Sequence, residues 1–308
     1  MNISNVLVPV DFSPPSRLAV NYAVSLARIF RAKLTLMHVV ESPAALGYPF
    51  GSGNPRVEKE HREQAMRMLS ALLAPEDQDD LDLQIVIKSG DTRDEIVSTI
   101  GERRADIVVM GTHGRGLFGR WLIGSITQGI LRKVSIPILT VCKATRPMSL
   151  NRILFATDLC EASRHGFGHV LELAQMMRSE VVVVHATESR AVLKHGIGEV
   201  VDYISPYTVE EVRAKLAEFV AEGTRLELKI ETAPIEGVPA EAILKAADDH
   251  EADLIVITVQ RKGLVERTLL GTTAERVIRE AYVPVLSIPA GLAAAAPDDS
   301  RRCGEEVR

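Results

Sequence analysis

Short runs of apolar residues recur along the chain, rich in valine, isoleucine and leucine and mostly without polar alternation. Such runs are typical of parallel strands that are covered on both faces of a sheet. In the first half of the chain they lie at 3–10, 33–40, 83–88, 106–111 and 136–142. In the second half they lie at 151–158, 180–186, 225–232, 252–259 and 283–288. Each run predicts one strand.

Helical periodicity fills the intervals between these runs. Ser13 precedes two prolines, which predicts an N-cap with proline in the first turn of a helix that ends near Arg31. Further helices are predicted at about 57–73, 92–104 and 124–134. Five strands that alternate with helices predict, for each half, an α/β domain with a doubly wound five-stranded parallel sheet. Such sheets bind ligands beyond the carboxyl ends of the strands, where the strand order reverses.

The two halves are copies of one repeat. A spacing of 147 residues separates Asp11 from Asp158. The same spacing links His38 with His185, Gly90 with Gly237, Asp106 with Asp253, Gly124 with Gly271, and Pro137 with Pro284. Polar and special residues at one constant spacing are hard to obtain by chance. We therefore predict two tandem domains, copy one (residues 1–143) and copy two (residues 150–290), followed by a disordered tail (residues 291–308).

Composition narrows the class of protein. A length of 308 residues is typical of two domains. The net charge of −5 and the pI near 6.0 argue against a general nucleic-acid binder. No apolar run approaches the roughly 20 residues that cross a bilayer, and the first residues lack the pattern of a signal peptide. The cysteines Cys142, Cys160 and Cys303 have no metal-ligand spacing and fit a reducing compartment. We expect a cytoplasmic protein with no nucleic-acid or membrane partner.

Copy one carries a glycine-rich segment between a predicted strand and a predicted helix. Gly111 ends the strand, Gly114 follows, and nine residues later Gly124 and Ser125 open the helix. The first two glycines allow positive φ and let backbone amides approach an anion without an intervening Cβ. Gly124 and Ser125 place free amides and a hydroxyl at a helix N-terminus, where phosphate is favoured. The segment therefore predicts a phosphate site, to which Arg115 and His113 can add charge-assisted contacts. The alternative is a connecting loop that needs glycines for its turns.

These residues give the chain a family resemblance. The run Val-Pro-Val-Asp-Phe-Ser at 8–13, the loop Gly-Thr-His-Gly-Arg-Gly at 111–116 and the Gly-Ser pair resemble the universal stress protein family in its tandem form, over about residues 3–290. The resemblance implies a Rossmann-like, adenine nucleotide alpha hydrolase-like fold that binds ATP, ADP or AMP. In nucleotide-binding members the aspartate after strand one contacts the nucleoside. The end of strand two contacts adenine through its backbone, and the glycine loop holds ribose and phosphates. Carried over to this chain, the nucleotide-binding residues are Val10, Asp11, Val39, Gly111, Thr112, Gly114, Arg115, Gly124, Ser125 and Ile126, with Thr127 as a further hydroxyl.

The function that the resemblance implies is that of an ATP-binding, nucleotide-responsive regulator in the stress response. The alternative is an ATP-using enzyme, a slow ATPase or an adenylyl-transfer type, at the same site. The loop offers no carboxylate and no Walker lysine, so we expect no enzyme activity beyond weak ATP hydrolysis. Mg²⁺ could bridge the phosphates, with Ser125 and Thr127 as the evident protein ligands nearby. The resemblance also implies that the last strand of each copy forms dimer contacts, which predicts an internal pseudo-dimer and leaves a homodimer of the full chain open.

Copy two departs from the motif. The repeat spacing places Thr258 and Arg261 where copy one has Gly111 and Gly114, while Gly271 still opens a helix. We interpret copy two as a copy of the fold with a lost or altered ligand site.

Two other pairs of repeat positions remain ambiguous. Asp158 persists where the glycines are gone, so Asp11 has two candidate tasks, a nucleoside contact or a cap at the first strand-to-helix turn. His38 and His185 are predicted to be satisfied, buried histidines.

Overall fold

The computed structural model describes residues 1–41, 55–112, 123–144, 147–187, 190–193, 200–203, 208–259 and 270–292. Copy one contributes the strands β1 (Asn5–Pro9), β2 (Lys33–Glu41), β3 (Leu83–Gly90), β4 (Ile107–Gly111) and β5 (Ile138–Val141). Copy two contributes β6 (Arg152–Ala156), β7 (Glu180–Thr187), β8 (Arg190–Leu193), β9 (Val200–Tyr203), β10 (Ile230–Glu236), β11 (Leu254–Val259) and β12 (Val285–Pro289). The helices are α1 (Pro14–Phe30), α2 (Pro55–Ser70), α3 (Pro75–Asp80), α4 (Thr92–Arg103), α5 (Ser125–Lys133), α6 (Glu161–Met177), α7 (Val209–Arg225), α8 (Pro239–Asp249) and α9 (Thr272–Glu280).

One ten-stranded sheet runs through both copies in the order β10-β7-β6-β11-β12-β5-β4-β1-β2-β3. In this sheet, every neighbouring pair of strands that belongs to one copy is parallel. The order reverses between β1 and β4 in copy one, and between β6 and β11 in copy two. These observations confirm the predicted doubly wound parallel sheets. They also place the expected ligand crevice of copy one beyond β1 and β4.

The two copies join through antiparallel pairing of β5 with β12. Leu139 lies opposite Leu286, and these leucines occupy equivalent positions of the repeat. Close to this pair, Gln128 Nε2 donates to Glu275 Oε1 at 2.5 Å, and these residues are again 147 positions apart. Equivalent residues meet in this way only next to a local two-fold axis. The structure therefore confirms the internal pairing of the copies through their last strands.

The repeat extends to unusual backbone conformations. The left-handed residues Phe12, Arg31 and Arg104 recur at the same spacing as Leu159, Arg178 and Glu251. The glycines at 90 and 237 both have positive φ, 155° and 138°. The paired acids also share a task, since Asp106 accepts the backbone N–H groups of residues 4 and 5 and Asp253 accepts those of residues 151 and 152. These carboxylates fix the start of the first strand in each copy.

Two apolar layers cover the sheet, one on each face. The first contains residues of α1, α2, α6 and α7, among them Phe167 and Phe219, which are 2% exposed. The second contains residues of α4, α5, α8 and α9, among them Ile130 and Val277, which are fully buried. Each layer includes residues of both copies, so the core is continuous across the β5–β12 junction.

The structure corrects one predicted strand and adds elements that were not predicted. The strand predicted at 225–232 is β10, which begins at Ile230, because α7 continues to Arg225 and Leu226 and Leu228 then pack against the core. The repeat spacing gives the correct start, since β3 begins 147 residues earlier. The short helix α3 and the antiparallel pair of β8 with β9, which forms a separate two-stranded sheet, were not predicted.

Two further predictions concern the surroundings of the chain and its end. In the ranges that the structure describes, no helix combines the length and apolar character needed to cross a membrane. The predicted tail lies outside the described residues from position 293 onward.

Candidate functional site

Most of the predicted site residues come together at the carboxyl edge of copy one. Val10 and Asp11 directly follow β1, and Val39 lies near the end of β2. Gly111 and Thr112 end β4, and residues 124–127 open α5. The Gly124 N–H donates to the Thr112 carbonyl at 2.7 Å, which ties the start of α5 to the end of β4.

The loop between β4 and α5 contains further predicted site residues. His113, Gly114 and Arg115 lie in the segment 113–122, outside the described residues. Arg261, the counterpart of Gly114 in copy two, lies in 260–269 and is also outside them. Their contribution to either site stays a prediction.

The first turn of α5 carries no side-chain cap. Gly124 occupies the N-cap position with φ −57° and ψ 140°, and among the described residues no side chain caps the amides of the turn. The geometry of an α-helix leaves the N–H groups of Ser125, Ile126 and Thr127 without helical acceptors. These three amides and the helix dipole favour an anion at this point. Because φ is negative at Gly124, the backbone conformation itself does not require glycine there.

Gly111 is needed for packing rather than for backbone freedom. It is not among the described residues with positive φ, so the positive φ that glycine allows is not used at this position. A Cβ on Gly111 would lie 2.6 Å from the carbonyl carbon of Pro15 and 2.8 Å from the nitrogen of Ser16. The glycine therefore lets the end of β4 approach the first turn of α1. Pro15 and Ser16 were not among the predicted site residues, although the paired prolines mark the start of that helix.

Two threonines hold the start of α5 against β4. Thr127 Oγ1 donates to the Gly111 carbonyl at 2.9 Å, and the Thr127 side chain is 5% exposed. Thr112 is fully buried, and its N–H donates to the Val141 carbonyl at 3.2 Å. The hydroxyl of Thr127 thus positions the helix start, while its backbone N–H belongs to the open first turn.

The backbone of Val39 faces space beyond the end of β1. β2 pairs with β3 as far as Glu41, whereas its pairing with β1 stops at Met37. The Val10 N–H donates to the Met37 carbonyl at 2.7 Å, so Met37 and, two residues on, Val39 direct their backbone groups toward the β1 side. Within the described part of the chain, the N–H and C=O of Val39 make no hydrogen bond on that side. Val39 therefore presents one donor and one acceptor to the crevice.

His38 explains why β1 leaves the sheet at this point. Its Nδ1 lies 2.6 Å from the Val10 carbonyl, which would otherwise continue the ladder to β2. His185 makes the same contact in copy two, 2.9 Å from the Thr157 carbonyl. The hydrogen bonds confirm that both histidines are satisfied, but the rings are half-buried rather than buried as predicted.

Asp11 has a structural task that copy two shares. Its Oδ1 accepts from Ser13 N at 3.0 Å and from Ser13 Oγ at 2.5 Å, and Ser13 is the N-cap of α1. In copy two, Asp158 Oδ1 accepts from Cys160 N at 3.1 Å and from Ser163 Oγ at 2.5 Å. Burial raises the pKa of Asp158, but hydrogen bonds from Cys160 and Ser163 outweigh it and hold the pKa below its ordinary value. A capping aspartate is therefore part of the fold, and any nucleoside contact by Asp11 is additional to it.

Copy two fills the equivalent crevice differently. Thr258 replaces Gly111, and its Oγ1 is buried without a hydrogen-bond partner among the described residues. A Cβ on Gly166 of α6 would overlap this oxygen, whereas copy one has Ala19 at the matching position. The repeat spacing also places Ala274 where copy one has Thr127, so the hydroxyl that ties helix to strand is missing. Copy two therefore has a glycine on the helix where copy one has it on the strand, and the side chains at this point of the crevice differ between the copies.

Protein groups for a metal ion are scarce around the site. In the described ranges, no group of three or more histidine, cysteine, aspartate or glutamate side chains is placed to hold a metal. Of the two predicted Mg²⁺ ligands, the Thr127 hydroxyl already donates to Gly111. The exposed Ser125 hydroxyl is the other.

Comparisons with known proteins give one consistent result. The universal stress protein family matches residues 2–141 and again residues 149–289. A universal stress protein of Mycolicibacterium smegmatis is 26% identical over 296 residues, which cover 92% of this chain and 96% of the relative. A universal stress protein of Mycobacterium bovis is 23% identical over 288 residues, with 91% and 95% covered. The crystal structure of a universal stress protein from Archaeoglobus fulgidus superposes with a TM-score of 0.71 at 20% identity, covering 93% of this chain and 96% of that one, which shows a shared fold.

Proposed function

Because the chain belongs to the universal stress protein family as a tandem of two such domains, we propose that copy one binds an adenine nucleotide with its phosphates at the first turn of α5. The observation that carries the proposal is the uncapped turn, in which the amides of Ser125, Ile126 and Thr127 lack helical acceptors. An anion at a helix N-terminus gains about 0.3–1 kcal/mol from the dipole alone, and up to about 2 kcal/mol in partly buried geometry. Hydrogen bonds to a charged phosphate add to this.

The remaining residues of the crevice suit the other parts of a nucleotide. Val39 offers a backbone donor and acceptor, which can pair with the acceptor and donor on the edge of adenine. Asp11 follows β1, which lies in the sheet between β2, the strand of Val39, and β4, the strand that precedes α5. Its carboxylate can accept from ribose hydroxyls. Gly114 and Arg115 complete the phosphate site from the loop, as the family motif implies.

We propose that Mg²⁺, where it takes part, enters as a complex with the nucleotide phosphates. In the described ranges no group of three or more carboxylate, thiol or imidazole side chains is placed to hold a metal, which favours this over a pre-formed protein site. Ser125 would be its protein ligand. ATP affinity in the presence of EDTA should then fall by less than tenfold, since the amides of α5 bind the phosphates directly.

The proposed role is that of a nucleotide-responsive regulator. Hydrolysis needs an oriented water and a group that positions it. Asp11, the carboxylate of the described site, already accepts from Ser13. We therefore expect phosphate release far below the roughly 1–10³ per second of typical enzymes. Turnover near one per second by the purified protein, if lost together with ATP binding, would favour the ATP-using enzyme instead.

A proline at the first helical position tests the proposed phosphate contact. Ser125→Pro removes one amide and the hydroxyl, and the extended ψ of 140° at Gly124 is compatible with a following proline. Ser125→Ala removes the hydroxyl alone. Thr272→Pro makes the matched change at α9 of copy two, where Gly271 has φ −60° and ψ 142°.

Calorimetric titration with ATP should separate these variants. We expect Ser125→Pro to weaken binding at least tenfold, which corresponds to about 1.4 kcal/mol. Ser125→Ala should weaken it only a few-fold, and Thr272→Pro should leave it unchanged. ATP binding by Ser125→Pro with the affinity of the unmodified protein, while its circular dichroism shows an intact fold, would refute the placement of the phosphates.

A further inference from the structure

The ten-stranded sheet ends in two edge strands, β3 in copy one and β10 in copy two. An edge strand exposes unpaired backbone N–H and C=O groups that can pair with another strand. In β3, the N–H of Leu34 donates to the Asp82 carbonyl, so the even-numbered residues that follow face β2. The backbone groups of Ile85, Ile87 and Ser89 therefore face outward.

The two edges differ at one equivalent position. In β10, the Val181 N–H donates to the Lys229 carbonyl, which turns the even-numbered residues outward. Pro234 is among them and stands at the repeat position of Ile87. Proline has no N–H, so it blocks the addition of a strand at the β10 edge. The β3 edge has no proline and keeps its outward donors.

A groove of about 660 Å³ runs along the β3 edge between α2 and α4. Its floor is apolar and includes Ile85 and Ile87, with the 42% exposed Met66 above them. Arg62 donates to the Ile87 carbonyl at 3.1 Å and covers this acceptor. Arg62 is a long, exposed side chain, so an incoming strand can displace it from the carbonyl. Pro234 at the β10 edge cannot be displaced in this way.

The groove is lined by four cationic side chains and one carboxylate, Glu63, so its lining has a net positive charge. Arg62, Arg67 and Arg103 line it and form no ion pair within the described residues. The two other charged lining residues are each paired elsewhere. Lys88 lies 2.9 Å from Glu102, and Glu63 lies 3.9 Å from Lys59. A second copy of the chain that docked by its own β3 edge would bring these arginines against each other. The charge therefore favours an acidic partner.

We propose that the β3 edge groove binds an extended, carboxylate-bearing peptide as an additional strand beside residues 85–89. The main chain of the peptide pairs with the outward N–H and C=O groups of β3. Apolar side chains on one face of the peptide contact Met66 and Ile85, and carboxylates reach the arginines at the rim. This mode of recognition gives affinity through backbone hydrogen bonds and specificity through alternate side chains. The groove shares no residue with the proposed nucleotide site, which lies beyond β1 and β4 and includes Val39 of β2, the strand next to β3.

Two fluorescent octapeptides of matched length test the charge requirement. The first alternates valine with glutamate, and the second alternates valine with lysine. Fluorescence anisotropy with the full chain should show binding of the glutamate peptide at least tenfold tighter than that of the lysine peptide. A glutamate peptide with N-methylated backbone nitrogens should lose this binding, because it cannot complete the ladder. Absence of binding, or equal binding of the charged peptides, would overturn the proposal.

Substitutions at the edge locate the interaction. Ile87→Pro copies into β3 the residue that β10 carries at the equivalent position, so the fold has a precedent for it. It should reduce binding at least tenfold, whereas Ile87→Ala, which trims the same side chain but keeps the amide, should not. The double variant Arg67→Glu, Arg103→Glu changes only exposed side chains and should reverse the preference toward the lysine peptide. An unchanged preference in that variant would overturn the proposal, whatever the folding of Ile87→Pro.

Discussion

A single hydroxyl fixes the start of α5 against the end of β4. Thr127 Oγ1 donates to the Gly111 carbonyl at 2.9 Å from a nearly buried position. This carbonyl belongs to Gly111 of β4, which also packs closely on α1. The hydrogen bond therefore joins α5 to the point where β4 meets α1. Copy two has Ala274 at the equivalent position and lacks the bond. Thr127 therefore acts on the proposed phosphate site by holding its amides in place.

Loss of this hydroxyl should cost both stability and affinity. Thr127→Val keeps the shape of the side chain but leaves the Gly111 carbonyl without its donor, which costs about 1 kcal/mol. Chemical denaturation should show this loss, and calorimetry should show weaker ATP binding. Thr127→Ser restores the donor and should behave like the unmodified protein. If Thr127→Val binds ATP normally, the bond does not position the site.

The aspartates that follow β1 and β6 allow capping and nucleoside binding to be separated. Asp11 and Asp158 make matching hydrogen bonds at equivalent positions, but we propose a ligand only for copy one. Asp11→Asn should weaken capping and ATP binding together, while Asp158→Asn should weaken capping alone. Equal ATP affinity for the two variants, measured by calorimetry, would remove the nucleoside role of Asp11.

The depressed pKa of Asp158 also predicts a dependence of stability on pH. A carboxyl whose pKa is lowered by folding stabilises the protein above the ordinary value near 3.9, and loses this contribution as the pH falls through the folded value. Asp158→Asn should therefore be less stable than the unmodified protein at pH 7, and the difference should shrink below about pH 4. Denaturation midpoints at pH 7 and pH 3 measure it. A difference that stays constant between these pH values would contradict the assignment.

Between β11 and α6, copy two has the larger side chain on the strand and the smaller one on the helix, the reverse of copy one. Thr258 replaces the strand glycine of copy one, and Gly166 replaces Ala19 of the facing helix. Glycine in a helix interior costs roughly 0.5–1 kcal/mol relative to alanine. Glycine is nevertheless needed at position 166, because a Cβ there would overlap Thr258 Oγ1. The two changes thus depend on each other, and together they remodel the inner wall of the copy-two crevice.

A double-mutant cycle tests this dependence. Gly166→Ala alone should destabilise the protein by about 1–3 kcal/mol, the usual cost of overpacking. In the Thr258→Ala background the added methyl group finds space, and the better helix propensity of alanine should make Gly166→Ala neutral or stabilising. Chemical denaturation of the four proteins gives the coupling energy. Additive effects would show that the two positions are independent.

At the scale of the whole molecule, the chain is a pseudo-dimer whose halves have diverged at the axis. Gln128 of α5 meets Glu275 of α9, and Arg132 lies 3.5 Å from the same carboxylate. α5 is also the helix whose first turn we propose to hold the phosphates. The carboxylate on α9 is therefore one hydrogen bond away from the helix of the ligand site. Coupling between the copies has a direct route here.

A charge exchange across the axis tests this contact. Gln128→Glu places a second carboxylate against Glu275 and should destabilise the protein. Adding Glu275→Gln restores one amide and one carboxylate with their places exchanged, and should recover most of the stability. The expected coupling energy is about 0.5–3 kcal/mol, measured by chemical denaturation. Full additivity of the two substitutions would show that the residues do not interact in solution.

Much of the fold could be predicted from sequence because its signals are local or periodic. Apolar runs and the 147-residue spacing give the strands and their parallel arrangement, and the family resemblance implies the pairing of the copies. What could not be predicted depends on contacts between distant segments. The need for glycine at 111 comes from Pro15 and Ser16 of α1, and the open backbone of Val39 comes from the early end of β1. The early start predicted for β10 shows that an apolar run alone misplaces the start of a strand when apolar residues continue from the preceding helix.

The number of nucleotides bound per chain distinguishes a single site in copy one from a site in each copy. Mass spectrometry under non-denaturing conditions, after incubation with ATP, resolves the nucleotide-bound and nucleotide-free forms of the 33.7 kDa chain. At an ATP concentration near the dissociation constant of the unmodified protein, we predict at most one adenine nucleotide per chain, with similar occupancy in the unmodified protein and in Thr272→Pro and much lower occupancy in Ser125→Pro. Two nucleotides per chain, or one that is lost in Thr272→Pro and kept in Ser125→Pro, would contradict a single site at α5 of copy one.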